Sequence, residues 1–253
     1  MRSPRGVRSR RPRDVRNLAA IPDRLRLDRG HRLFPVDVAP VCVDYDSKWF
    51  ADHSLVPPAT LSELTDARYR GLLVIERPDT SSPGLVFLAA THAALGAGTE
   101  RFWRDLFAND VVVASGWDDA WNRHYTVSGG DRPLVVSYAT SPPAEVVYSE
   151  GKVDRPRTKV VEATCAEQVE MAGVLAGTRQ HSRAVRVLDA MLGARWQRSL
   201  PLSNFVYPAR TDVSLPAVFT RFVRRPAEMI RLDPTVVNRE RDRWLEDWRA
   251  LAP

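Results

Sequence analysis

The sequence predicts an α/β protein built on a sheet with crossover helices. Three observations lead there. Between residues 71 and 148, short apolar runs alternate with helical segments in the order strand, helix, strand, helix. The chain has 253 residues, 44% of them hydrophobic and seven of them Trp, enough to bury sizeable cores. Three strand ends are each followed by small polar or aromatic residues at a helix start: Ser81-Ser82-Pro83-Gly84, Gly116-Trp117-Asp118 and Tyr138-Ala139-Thr140-Ser141-Pro142.

Each element follows from local pattern. Residues 33–37 and 41–45 are strand-like, and Ala39-Pro40 is expected to separate them because proline donates no backbone hydrogen bond. Residues 49–58 read as a loop and 61–67 as a short helix capped by Thr60. Residues 71–76 read as a buried strand. Ser82 then reads as a helix cap and Pro83 as the first helical residue of an apolar helix to Leu95. Residues 100–108 form a helix with Phe102, Trp103, Leu106 and Phe107 on its apolar side, 111–114 a strand, 118–127 a helix and 134–138 a strand. Thr140 to Pro143 open another helical turn, and the polar, Pro-rich 149–158 is a loop. Residues 167–175 read as a strand, 179–192 and 194–200 as helices and 204–208 as a short strand. Asp233-Pro234 starts a last helix whose Val237, Trp244, Trp248 and Leu251 share one face.

Charge narrows the function. The net +6 lies in residues 1–20, which hold seven of the 37 Lys and Arg and one of the 31 acids, leaving 30 of each elsewhere. That tail reads as disordered. No basic stripe follows it, so a nucleic-acid partner is not expected. The two cysteines, Cys42 and Cys165, and the five scattered histidines have no metal-site spacing. No apolar run reaches the ~18 residues of a membrane helix. Arg10-Arg11 is followed by Pro-Arg-Asp-Val-Arg, with no apolar core, so no signal peptide is recognisable.

The three turns are the candidate site. In open α/β sheets, ligands lie beyond the carboxyl ends of the strands. Ser81, Ser82 and the Gly84 N–H form a helix N-terminus suited to an anion. Trp117 and Tyr138 supply aromatic faces. No acid or histidine among the turns has an obvious acid/base role beyond Asp79 and Asp118, so the set reads as binding and not as catalysis.

In sequence order, Asp79-Thr80-Ser81-Ser82-Pro83-Gly84, Gly116-Trp117, Ser137-Tyr138-Ala139-Thr140-Ser141-Pro142, Gln168 to Thr178, Pro201 to Pro208 and Leu215-Pro216 resemble the thiamine-binding solute receptors of bacterial ABC importers. The resemblance runs from about Ile21 to the C-terminus. It implies a two-lobe type II periplasmic-binding-protein fold, with a small molecule held in the cleft and delivered to a membrane permease. It also implies a monomer in the periplasm or another extracytoplasmic space, with thiamine or thiamine phosphate as ligand and no cofactor. Mapped on this chain, residues 1–20 are the tail, 21–45 with 166–253 a first lobe, and 46–165 a second. The family carries a signal peptide and opening strands before the position of Ile21. The first lobe is therefore expected to be incomplete, from a truncated or misassigned start.

The resemblance assigns ligand contact to Ser81, Ser82, Gly84, Trp117, Tyr138, Asp37, Asn204 and Phe205. Aromatic faces attract a thiazolium cation by ~0.5–2 kcal/mol. Asp37 would balance its charge, and the hydroxyls would meet its hydroxyethyl or phosphate end. Departures are visible: Val38-Ala39-Pro40 stands where the family has Tyr-Gly, Ala144 replaces a tyrosine of some members, and Phe205 a tryptophan. Cys42 and Cys165 fall on neighbouring crossing strands of that fold, either as a disulfide or as two buried thiols. Two alternatives stay open: a thiaminase-like enzyme using Cys42 with Asp37 or Asp44, and a receptor for another small cation.

Overall fold

The computed structural model describes residues 14–30 and 32–253. In chain order its strands are β1 (Leu33–Asp46), β2 (Leu73–Glu76), β3 (Val112–Ala114), β4 (Leu134–Tyr138), β5 (Thr158–Gly173) and β6 (Tyr207–Pro208). The helices are α1 (Ser47–Asp52), α2 (Ser82–Leu95), α3 (Thr99–Ala108), α4 (Trp117–Asp119), α5 (Pro142–Tyr148), α6 (His181–Met191), α7 (Ala194–Ser203), α8 (Ala217–Phe222) and α9 (Pro234–Leu251). The chain divides into two compact units. Unit 1 is Met1–Ala39 with Val169–Arg221, and unit 2 is Pro40–Gln168 with Phe222–Pro253.

In unit 2 the strand order is β3-β2-β4-β1-β5. β2 runs parallel to β3 and β4, with Glu76 opposite Ala114 and Val74 opposite Val135. β1 runs antiparallel to β4, with Cys42 opposite Ser137 and Asp44 opposite Val135. Both faces are covered, so β2 and the second half of β1 are buried almost throughout. β1 is one continuous strand, where the sequence suggested two. Pro40 lacks a donor but keeps its carbonyl, which accepts from Ala139 N at 2.8 Å.

One face of the unit 2 sheet carries the main core. Leu73, Ile75, Phe87, Leu88, Trp103, Trp244 and Trp248 all belong to it. α9 completes that core: Trp244 stacks on His92 at 4.3 Å, and Trp248 meets Trp103 edge-on at 6.1 Å. The sequence reading set this C-terminal stretch in the first lobe, but the contacts of its tryptophans place it in unit 2. Burial against Trp244 pushes the His92 imidazole down to about 4, so it is neutral at physiological pH.

Unit 1 is held by the first half of β1, which pairs with β6 (Asp37 opposite Pro208), and by α6 and α7. Val15, Ile21, Leu25, Phe34, Val36 and Leu188 form its core. Gln197 is fully buried and donates to Val36 O and Met191 O. Most of the Arg-rich segment, residues 1–13, lies outside the described residues. Its last part does not behave as a tail: Val15 is buried, and Asn17 donates to the Asp189 carboxylate.

Candidate functional site

The three turns after β2, β3 and β4 lie within unit 2 and are bonded to one another. Thr80 Oγ1 donates to Ser115 O at 2.7 Å, joining the first turn to the second. Trp117 Nε1 donates to Ser137 Oγ at 2.8 Å, joining the second to the third. Ser137 Oγ and Ser141 Oγ are 2.9 Å apart, and Tyr138 N donates to Ser141 Oγ. The turns are one connected structure because parallel strands deliver all three to the same sheet end.

The helix start differs by one residue from expectation. Ser81, not Ser82, is the cap, with extended backbone and its hydroxyl accepting from Gly84 N at 3.4 Å. Ser82 is therefore the first helical residue and exposed, while Ser81 is 9% exposed. The Gly84 N–H, expected to face an anion, is instead turned to Ser81. A Cβ at Gly84 would lie 2.6 Å from Glu76 O, so this glycine lets the helix start press against the strand end. The donors left at this terminus are the Ser82 N–H and the two serine hydroxyls.

Trp117 is partly exposed. Its ring stacks on Trp121 at 5.4 Å and lies 6.4 Å from the Tyr138 ring. It is thus fixed by a hydrogen bond on one edge and a ring on one face, a rigid aromatic wall beside a partly exposed tyrosine. Segment 117–128 is less regular than the helix expected there. It runs through a π-type turn, Ala120–His124, that sets Trp121 and Tyr125 over the sheet.

The two acids singled out among these turns are held by neighbouring side chains. Asp79 bonds Arg77 and Arg249, and those partners hold its carboxyl down at about 2. Asp118 is exposed and accepts from Asn122.

Three predicted residues belong to unit 1. Asp37 is buried in β1 with its Oδ1 lacking a hydrogen bond, and burial together with the nearby Glu170 pushes its carboxyl up to about 7. Asn204 is exposed at the end of α7. Phe205 is buried against Phe219, with a centroid distance of 6.4 Å, and adopts a positive φ of 52°. The structure does not bring Phe205 out as an open face.

Cys42 and Cys165 form a disulfide and are fully buried. Cys42 therefore offers no thiolate, which removes the nucleophile of the enzyme alternative in this oxidised state. Among the described residues no group of three or more His, Cys, Asp or Glu could hold a metal ion. No described helix is long and apolar enough to cross a membrane.

The sequence reading passed over Glu76 and named Asp44 only as a partner of Cys42 in the enzyme alternative. Asp44 is fully buried and Glu76 is 1% exposed. The signal for Asp44 was two acids two residues apart, Asp44 and Asp46, at the end of an otherwise mostly apolar strand. Asp46 of that set is explained: although burial opposes its charge, bonds from Arg157 and Thr126 hold it ionised.

Residues 9–222 match the family model described as bacterial extracellular solute-binding protein. The thiamine-binding periplasmic protein of Salmonella typhimurium is 30% identical over 212 residues, covering 82% of this chain and 63% of that protein. The protein of the same name from Brucella abortus is 28% identical over 217 residues, covering 85% and 62%. The chain thus spans a little under two thirds of the curated relatives it matches. A solved periplasmic thiamin binding protein is similar with a TM-score of 0.78 at 26% identity, covering 88% of this chain and 67% of that one. With a family match across most of its length and a two-unit α/β fold to go with it, the chain belongs to the bacterial extracellular solute-binding proteins.

Proposed function

We propose that this protein is a receptor for thiamine or a thiamine phosphate, delivering it outside the cytoplasm to the membrane permease of an ABC importer. The observation that carries this reading is the set of three interbonded turns carrying Trp117, Tyr138, Ser81 and Ser82, in a chain similar over 82% of its length to a thiamine-binding periplasmic protein. A fixed indole beside a phenol suits a ligand with one flat ring and one cationic ring. The serine hydroxyls and the Ser82 N–H suit its hydroxyl or phosphate end. The reading rests on unit 2 residues alone. The Cys42–Cys165 disulfide supports an oxidising compartment. We read the protein as a binding component and not an enzyme.

Titrating the protein's tryptophan fluorescence with thiamine tests the proposal. Saturable quenching is expected, and Trp117→Ala should weaken affinity by ~3- to 30-fold, the range of one cation–π contact. A flat response up to millimolar thiamine would refute it.

A further inference from the structure

Behind the Trp117 wall, one face of the unit 2 sheet holds two acids that nothing neutralises. Cys42, Asp44 and Asp46 point to the same side of β1, and register carries that side across Val135 and Ser137 of β4 to Val74 and Glu76 of β2. Trp117, Trp121 and Tyr125 pack over this face. Both oxygens of Glu76 and both of Asp44 lack a formed hydrogen bond, although Ser141 faces Asp44 closely enough to favour its charged form. Ser141 leads in turn to Ser137 and to the Trp117 indole. An unpaired buried carboxylate costs several kcal/mol, so such groups keep a proton instead.

We propose that Asp44 and Glu76 form a proton-holding pair behind the Trp117 wall, and that a cationic ligand settling on that wall drives a proton out to bulk solvent. The coupling rests on the thiamine reading above and deepens it.

The groups facing the pair give the sign. Burial raises Glu76 to about 8, and burial, with a further push from Glu76, raises Asp44 well above the carboxylate range. From the segment over the sheet comes Tyr125, fully buried, its phenol raised by burial and by Asp44. From β1 comes Asp46, already paired with Arg157. From α5 comes Glu145, accepting from Arg157 N and Thr158 N. The surroundings of the pair therefore hold two acids, a phenol and hydroxyls; their one cation, Arg157, is bonded to Asp46, and the groups acting on the pair itself include none. A thiazolium would be the first positive charge to act on the pair itself. It favours the ionised carboxylate, so the acid's proton is held less tightly with ligand bound than without. The exchange balances as protonated acid plus free cation going to carboxylate, bound cation and a proton in solvent. Affinity must then rise with pH up to the range in which the free protein's own acid ionises.

The test is titration calorimetry of the whole chain with thiamine itself, since a phosphate ester titrates near pH 6 on its own account. At pH 7.5, heats in two buffers of different ionisation enthalpy should differ by about half a proton released per ligand, and affinity should rise about threefold per pH unit from 6.5 to 8.5. Glu76→Gln should lose most of this release, and Asp44→Asn the remainder. The wild-type comparison needs no variant, so a poorly folding substitution leaves the test intact. Saturable binding with equal heats in both buffers, or with proton uptake, overturns the coupling and leaves the thiamine reading standing. Wild-type release in both variants also overturns it. No saturable binding at any pH overturns the reading and the coupling together.

Discussion

Reduction of the Cys42–Cys165 bond removes a single cross-link between β1 and β5 without changing the side chains that fill the core around it. The bond joins residues 123 apart in sequence. Closing a loop of that length in the unfolded chain corresponds to about 5 kcal/mol in the chain-entropy model, and native disulfides removed from small domains cost about 2–5 kcal/mol. Both sulfurs are fully buried among Ala139, Val160 and Met229, so reduction is expected to need unfolding first. Val43 N, bonded to Thr164 Oγ1 at 2.8 Å, and the strand pairing remain to hold β1 beside β5. The reduced protein should therefore still fold, at a lower denaturant midpoint. Guanidinium unfolding of the oxidised and reduced chains, followed by tryptophan fluorescence, measures the difference. Stability should fall by about 2–5 kcal/mol on reduction, and the slope of stability against denaturant should steepen, because an uncrosslinked chain exposes more surface when unfolded. Midpoint and slope unchanged within error would refute the reasoning, since the cross-link would then place no constraint on the unfolded ensemble.

Two further substitutions probe the turn after β2. Gly84→Ala would set a methyl 2.6 Å from Glu76 O and 2.9 Å from Arg77 O, both backbone atoms that cannot swing away. A loss of about 1–3 kcal/mol is expected, read as a lower melting temperature. Asp79→Asn removes the charge that holds Arg77 and Arg249 together, at about 1–3 kcal/mol. Asp79 is depressed from 3.8 to about 2. Its contribution is thus complete above 3.8 and lost as pH falls through about 2, and the gap between wild type and variant should close across that interval in acid unfolding.

Much of unit 2 was legible because its elements obey simple periods. The apolar helix after Ser81, the buried strand before it and the one-sided Trp244/Trp248 face of α9 all appear where the pattern puts them. The cap moved by one residue because two adjacent serines satisfy the same rule, and only the reach of Ser81 Oγ to Gly84 N decides between them. β1 was split at Ala39-Pro40 because a proline marks a missing donor, whereas the strand there needs only an acceptor. Allotting α9 to its unit depended on which core receives its tryptophans, and a helical period fixes a face without naming its partner. Of the candidate site, Trp117, Tyr138, Ser81 and Ser82 stand on three turns that Thr80, Ser115, Ser137 and Ser141 bond together. Gly84 turned out to serve packing, and Phe205 is buried against Phe219. Glu76, and the burial of Asp44, were hidden by the strands that carry them, since a strand covered on both faces shows no alternation that would mark an acid as buried.

The place of α9 has a consequence for how the chain is made. Trp244 and Trp248 fill a core whose other walls come from residues 41 to 161, and Arg249 supplies the last ligand of Asp79. A ribosome emits those residues after everything they pack against. Unit 2 therefore cannot close until α9 has been made, and its apolar sheet face waits for that helix. A core whose last wall is made after all the others stays open until that wall arrives, which gives any chaperone or translocation machinery that prefers extended chains an interval in which to engage unit 2.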